Sequence, residues 1–202
     1  NYYHRDPVIY MKLDLEELEQ RPTDQVPDCR KLLETMMPTL YEHTCSPGYQ
    51  GGFFERVEDG TWAGHVVEHV AIELQCLAGL EVTFGKTYTM AEPGIYDLVY
   101  RYRLEEVGLR AGQMAVDLVE SLFAGRLTEV EPLVEELKEL AEASQLGPST
   151  RAIVEEASRR GIPHIRLNQD SYVQLGTGRY QRRLQATLMD STSALGVEIA
   201  DD

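Results

Sequence analysis

The sequence contains little cysteine and no long hydrophobic run. Its 202 residues include 3 cysteines, an odd and sparse set that favours reduced thiols over a disulfide framework. No apolar stretch reaches the roughly 20 residues that a membrane-spanning helix needs, and no signal-peptide pattern opens the chain. These absences predict a cytoplasmic protein without a membrane partner.

Basic residues are also scarce. Lys and Arg total 19 against 34 Asp and Glu, which gives a formal net charge of −15. Because binding to nucleic acid needs a basic surface, we predict no nucleic-acid partner. Residues 1–147 hold 12 basic and 27 acidic residues, whereas residues 148–202 hold 7 of each. This change in composition, together with the turn-type sequence at 146–149, predicts a domain boundary there.

Helical and strand-like patterns alternate along the chain. We predict helices at 27–42 (limited or kinked at Pro38), 62–77, 110–124, 129–144 and 151–160, the last with Ser149 as its N-cap. Strands are predicted at 8–13, 53–58, 82–88, 165–167 and 172–175, and 94–102 reads as a strand or the start of a helix. A further strand-like or helical stretch closes the chain. The mixture predicts an α+β (mixed α/β) fold with amphipathic helices.

The strongest chemical signal is His65-Val66-Val67-Glu68-His69, which has the H-x-x-E-H order of inverzincin metallopeptidases. Residues four apart on a helix project from one face, so both imidazoles can reach one metal ion. Glu68 sits beside them and can take a proton from water as the catalytic base. Zinc suits two imidazoles with a carboxylate, and the motif therefore predicts a zinc-dependent hydrolytic site.

The helical wheel places this motif away from the apolar stripe. With His65 at the origin, His69 falls at about 40° and Glu68 at about 300°, whereas Val70 and Leu74 fall on the opposite side. We therefore expect the His/Glu face to look into a cleft or solvent. The alternative, a histidine pair satisfied within the core, fits this pattern less well.

The sequence alone does not decide the third metal ligand. Glu73 lies two turns beyond His65, and we predict that it ligates the metal with some strain or orients His69 from behind. Glu55, His43 and Cys45 are the alternatives from neighbouring segments.

Several longer segments resemble one family. MKLDLEEL (11–18), CSPG (45–48), GGF (51–53) and GHVVEHVAIELQ (64–75) resemble the N-terminal domain of cyanophycin synthetase. LGPST (146–150), RGIP (160–163), QLGTG (174–178) and QRRLQAT (181–187) resemble the start of that enzyme's ATP-grasp domain. The resemblance implies a polymer-binding domain over 1–146, followed by an incomplete ATP-grasp domain over 147–202.

The family resemblance also implies an activity. Cyanophycin synthetases are bacterial ligases that use ATP and Mg to extend a poly-aspartate backbone and to attach arginine to each aspartate side chain. The nucleotide-binding residues of the ATP-grasp domain and the whole Mur-ligase-like region lie outside this sequence. In some members the N-terminal domain also looks like a metal-dependent hydrolase that cuts the polymer internally to make primers. His65, Glu68 and His69 match that site position by position.

The acidic first part is suited to a polymer that displays guanidinium groups. We predict polymer contacts at Glu55, Asp59 and Tyr49, through carboxylate pairs and cation–π contact with arginine. A homo-oligomer is expected. Alone, this chain is expected to be at most a zinc-dependent endo-hydrolase of cyanophycin. The alternative is a non-catalytic domain that tethers the polymer or serves oligomer contacts.

Overall fold

The computed structural model describes residues 3–168 and 170–193. The chain divides after Glu142 into two compact units, whereas the sequence places its boundary at 146–149. The elements of the first unit are β1 (Val8–Asp14), α1 (Cys29–Met36), α2 (Gly52–Asp59), α3 (Ala63–Leu77), β2 (Gly85–Thr89), β3 (Ile95–Arg101) and α4 (Glu105–Phe123). Helix α5 (Glu131–Ser144) ends across the division. Those that follow it are α6 (Pro148–Arg159), β4 (His164–Arg166), β5 (Tyr172–Leu175), β6 (Arg182–Gln185) and β7 (Leu188–Met189). This mixture confirms the predicted α+β class.

The first unit is built on a three-stranded antiparallel sheet in the order β1-β3-β2. Strand β3 is central, and its register pairs Leu98 with Met11 on one side and with Thr87 on the other. Leu98 and Tyr100 are fully buried because helix α3 packs on this face of the sheet and α4 packs against α3. The sheet and these two helices enclose the main hydrophobic core.

The predicted strand at 53–58 is wrong, because the segment forms helix α2. Phe53, Phe54 and Val57 are buried while the residues between them are exposed, which is a helical and not an alternating pattern. Gly51 and Gly60 flank the helix with φ values of 85° and 102°, a region that glycine adopts without steric cost. The helix ends at Asp59, with Gly60 as its C-cap.

The other predicted helices and strands differ from the structure mainly at their ends. Residues 94–102 contain strand β3, strand β2 begins at Gly85 rather than at residue 82, and α4 begins at Glu105. Helix 27–42 ends at Met36, and Pro38 opens a separate short 3-10 helix, Pro38–Glu42, as its missing N–H requires. Ser149 is not the N-cap of α6, because Gly147 holds that position and Pro148 begins the helix.

The second unit combines helix α6 with a four-stranded antiparallel sheet in the order β4-β5-β6-β7. Its small core consists of Val154, Val173 and Leu184, with Leu146 and Leu175 packed around them. The stretch predicted to close the chain includes β6 and β7, and its last part, 194–202, lies outside the described residues. Within the described ranges, none of the helices has the length and apolar character needed to cross a lipid bilayer.

Candidate metal centre

Helix α3 presents His65, Glu68 and His69 to one cleft of the first unit. The cleft has a volume of about 900 Å³ and lies between α3, strand β2 and the segment 42–46. Val66, Val70 and Leu74 face the core and are almost completely buried. Glu68 and His69 are only 6% and 7% exposed. The face of α3 that the helical wheel assigns to a cleft or solvent therefore lines the inner wall of a cleft.

Cys45, His65 and His69 form a group with metal-binding geometry. Each offers one ligand atom, and these atoms lie within 4.8 Å of one another. Cys45 Sγ lies 3.2 Å from His65 Nε2. The turn at 45–48 places the thiol there, with Cys45 in the left-handed region at φ 48° and its carbonyl accepting the Gly48 N–H. Two imidazoles and a thiol are ligands typical of zinc sites.

His65 is held as a neutral imidazole. Its Nδ1 lies 3.0 Å from the hydroxyl of the buried Thr61, which leaves Nε2 directed at Cys45. Burial, with a smaller contribution from the positive charge of Arg56, lowers the pKa of His65 to about 4. A neutral ring keeps the lone pair that metal ligation requires.

His43, Glu73 and Thr39 form a series of hydrogen-bonded side chains that begins at His69. His43 Nδ1 lies 2.8 Å from His69 Nδ1, and His43 Nε2 lies 2.8 Å from Glu73 Oε2. The hydroxyl of Thr39 donates to the other oxygen of Glu73. With the His43 Nε2–H donating to the Glu73 carboxylate, His43 Nδ1 accepts a hydrogen bond from the His69 Nδ1–H. His69 Nε2 then carries the free lone pair. Burial and the neighbouring His65 and His43 hold the pKa of His69 well below its usual value.

Glu68 is fixed by strand β2. The Thr87 hydroxyl donates to Glu68 Oε2 at 2.5 Å, and Gly85 lies against the same side chain. A Cβ added at Gly85 would stand 2.6 Å from Glu68 Oε1 and 2.7 Å from Ile72 Cδ1, so a larger residue at position 85 would displace the carboxylate. Burial raises the pKa of Glu68 to about 7, against a smaller opposing effect of the Thr87 hydrogen bond. A carboxyl group that titrates near neutral pH is suited to general acid–base work.

The cyanophycin synthase-like N-terminal domain matches residues 10–124, which lie within the first unit. The chain belongs to this family. It is 47% identical to cyanophycin synthetase from Synechocystis sp. over 207 aligned residues, which cover the whole chain and 24% of that protein. The cyanophycin synthetases of Nostoc sp. and Crocosphaera subtropica are 47% and 44% identical, with 23% and 24% of their lengths covered. The chain therefore spans about a quarter of the length of these relatives.

In this cyanophycin synthase-like domain, Glu73 does not belong to the Cys45–His65–His69 group. Its two carboxylate oxygens are engaged by Thr39 and His43, and its contact with His69 runs through His43. Glu55, His43 and Cys45 are the alternatives predicted from the sequence. Of these three, Cys45 belongs to the group, because the turn at 45–48 brings its thiol to the site.

The residues predicted to contact the polymer lie on the outer side of α2 and the loop before it. The Tyr49 hydroxyl donates to Glu55 Oε2, and Tyr49 is 50% exposed. Asp59 is exposed at the last position of α2. None of these three residues is among those that line the cleft in the described part of the chain.

Four residues that contact the site are not predicted from the sequence: Thr39, Thr61, Gly85 and Thr87. Thr39 and Thr87 carry no pattern of their own and reach the site only through tertiary packing. Gly85 did carry a signal, because a glycine inside a strand-like run often marks a close approach of another group.

Proposed function

We propose that this chain is part of a cyanophycin synthetase, and that its first unit binds the cyanophycin polymer and cleaves it internally by zinc-dependent hydrolysis to make primers. One observation carries the proposal. The ligand atoms of Cys45, His65 and His69 converge in a cleft that also holds the buried carboxylate of Glu68.

The donor set fits zinc. Cys45, His65 and His69 would hold the ion with one thiolate and two imidazoles, ligand types typical of zinc sites. His43 and Glu73 support this centre from behind, because a carboxylate that orients a ligating histidine raises its basicity and fixes its ring. A zinc ion held by these residues supplies Lewis-acid chemistry, polarising an amide carbonyl and lowering the pKa of water.

The other steps belong to residues of this chain. Glu68 takes the proton from the attacking water and returns it to the departing amine. Thr87 holds the Glu68 carboxylate toward the cleft through the hydroxyl contact at 2.5 Å. In the metal-free chain burial raises the pKa of Glu68 to about 7, and a carboxyl group in this range can both accept and donate a proton.

The cleft carries both signs of charge. Acidic side chains at Glu42 and Glu73 and the basic side chain of Arg56 line it. Each cyanophycin repeat ends in a guanidinium and a carboxylate, so both kinds of partner are useful to the domain. We propose Tyr49, Glu55 and Asp59 as outer contacts for the polymer beyond the cleft.

The ligase reactions are proposed for the longer protein only. ATP, Mg, aspartate and arginine would be used by parts that lie beyond this chain, with residues 147–202 as the beginning of the ATP-grasp domain. The three free cysteines fit a reducing compartment, and we propose the cytoplasm.

Removal and return of the metal test the proposal. The purified chain is freed of metal with a chelator, and new amino termini are counted after incubation with cyanophycin, before and after one equivalent of zinc. We expect cleavage to stop without metal and to return with zinc. Polymer that binds but is never cut, with zinc fully bound, would contradict hydrolysis and leave a tethering domain.

A further inference from the structure

Strand β2 forms an edge of the three-stranded sheet beside the candidate metal centre. In the order β1-β3-β2 it has β3 on one side only, and its other side carries no strand within this sheet. An edge strand exposes a row of backbone N–H and C=O groups to which another extended chain can bind.

Two hydrogen bonds fix which residues of β2 face β3. The Arg101 N–H donates to the Phe84 carbonyl, and the Met90 N–H donates to the Ile95 carbonyl. In an antiparallel ladder hydrogen-bonded and non-hydrogen-bonded pairs alternate, so even-numbered residues from 84 to 90 bond to β3. The backbone groups that point away from β3 belong to Gly85, Thr87 and Thr89.

These three outward-facing residues also line the cleft. In the parts of the chain that the structure describes, their N–H and C=O groups have no hydrogen-bond partner. Their side-chain face is the one that meets α3, since the Thr87 hydroxyl donates to Glu68 and a Cβ at Gly85 would touch the same carboxylate. The open edge and the candidate base are therefore joined by a direct contact.

We propose that the β2 edge binds the main chain of an extended polypeptide substrate as an additional strand, pairing with Gly85, Thr87 and Thr89. This inference rests on the proposed hydrolysis and assigns how its substrate is held. Main-chain pairing supplies affinity that does not depend on side-chain identity, which suits a polymer of one repeated unit. The substrate amide paired with Thr87 is the one presented to Glu68.

The pairing also sorts the substrate's side chains. Successive side chains of a strand point to opposite faces, so every second one enters the cleft near Glu42 and Glu73. The others lie on the opposite face of the sheet, where Lys86 stands 5.1 Å from the Tyr88 ring centroid. Long cationic arms are thus divided between two surfaces, and the backbone between them stays accessible to the site.

Amide hydrogen exchange tests the docking directly. The zinc-loaded Glu68→Gln chain is mixed with a synthetic oligomer of aspartates that each carry an arginine on the side-chain carboxylate. We expect exchange at the Thr87 and Thr89 amides to slow at least about tenfold, because they gain partners, with no slowing at Lys86 and Tyr88, whose amides already bond to β3. The single Asp-Arg unit, which has no extended backbone, is the matched control and should leave all four unchanged.

Three results of this experiment would overturn the docking. One is bound oligomer without slowed exchange at residues 87 and 89. Another is equal slowing by the single Asp-Arg unit. The third is slower exchange of the same amides at higher protein concentration when no oligomer is added, which would assign the β2 edge to a second copy of this chain.

A proline substitution gives an independent test. Proline is tolerated on an edge strand where the N–H points outward, so Thr89→Pro removes one docking donor while Thr89→Val keeps it. We expect kcat/KM for cleavage of cyanophycin to be about fivefold or more lower in the proline variant than in the valine variant, because only the proline lacks the N–H. Equal values would contradict the docking and leave the hydrolase proposal standing.

The two proposals can fail separately. Slowed amide exchange in a chain that does not cleave the polymer would contradict the hydrolysis and support the docking. If Thr89→Pro does not fold, as read from its circular dichroism, the exchange experiment alone decides.

Discussion

Replacing Glu68 by glutamine should stabilise the metal-free protein at alkaline pH. Glu68 is 6% exposed, and burial raises the pKa of its carboxyl from 4.5 to about 7. A folded-state pKa above the unfolded value means that stability is fully present below about pH 4.5 and is lost as the pH rises through about 7. Glutamine keeps the shape and an acceptor for the Thr87 hydroxyl but carries no charge at any pH.

The size of the effect follows from the shift in pKa. A rise in the pKa of Glu68 from 4.5 to about 7 corresponds to about 3 kcal/mol of unfolding free energy at pH 8. At pH 4 the carboxyl is mostly protonated in both states, so the two proteins should differ little there. The difference in unfolding free energy between Glu68→Gln and wild type should therefore grow from near zero at pH 4 to about 3 kcal/mol at pH 8.

Urea denaturation in the presence of a chelator measures this difference. The single tryptophan, Trp62, is the N-cap of helix α3 and reports on the unit that contains the site. Glu139→Gln, an exposed change on helix α5, is the matched control and should show no such pH dependence. A Glu68→Gln protein no more stable than wild type from pH 4 to pH 8 would refute the assignment of a buried, charge-destabilised carboxyl.

Three further substitutions have defined outcomes. Cys45→Ser should weaken zinc binding, measured by competition with a chelating dye, more than any change behind the ligands, whereas Cys76→Ser should leave it unchanged because that thiol bonds to a backbone carbonyl. His43→Gln should weaken zinc binding about 10- to 100-fold, as for other residues that orient a ligating histidine, and a value equal to wild type would count against the role assigned to it. Gly85→Ala should cost about 1–3 kcal/mol of unfolding free energy and reduce cleavage, since the new methyl group overlaps the candidate base. Glu139→Gln, the exposed change on helix α5, should do neither.

The sequence was most informative where one helix carries both core and site. The apolar spacing of Val66, Val70 and Leu74 predicts helix α3 and the face that holds the histidines, and the structure confirms the helix from Ala63 to Leu77. The short apolar run at Phe53–Phe54 was less informative, because five or six residues are consistent with either period. In the folded protein Phe53, Phe54 and Val57 are all buried, which is the spacing of a helix.

The surroundings of the motif depend on tertiary structure. Cys45 reaches His65 because a tight turn directs its thiol inward, and no periodic pattern shows the direction of a turn. Thr87 reaches Glu68 only because the register of β2 against β3 turns its side chain toward α3. The order of the H-x-x-E-H motif thus predicts two ligand candidates and a base, while the partners of each come from long-range packing.

The rate of internal cleavage of cyanophycin by the zinc-loaded chain, compared with that of its Glu68→Gln variant at equal zinc content, tests the central claim most directly. A positioned general base contributes about 10²- to 10⁴-fold, so the account predicts a loss of at least about 100-fold in the variant, with Glu139→Gln retaining the wild-type rate. Equal cleavage by wild type and Glu68→Gln, each with one zinc bound, would contradict it.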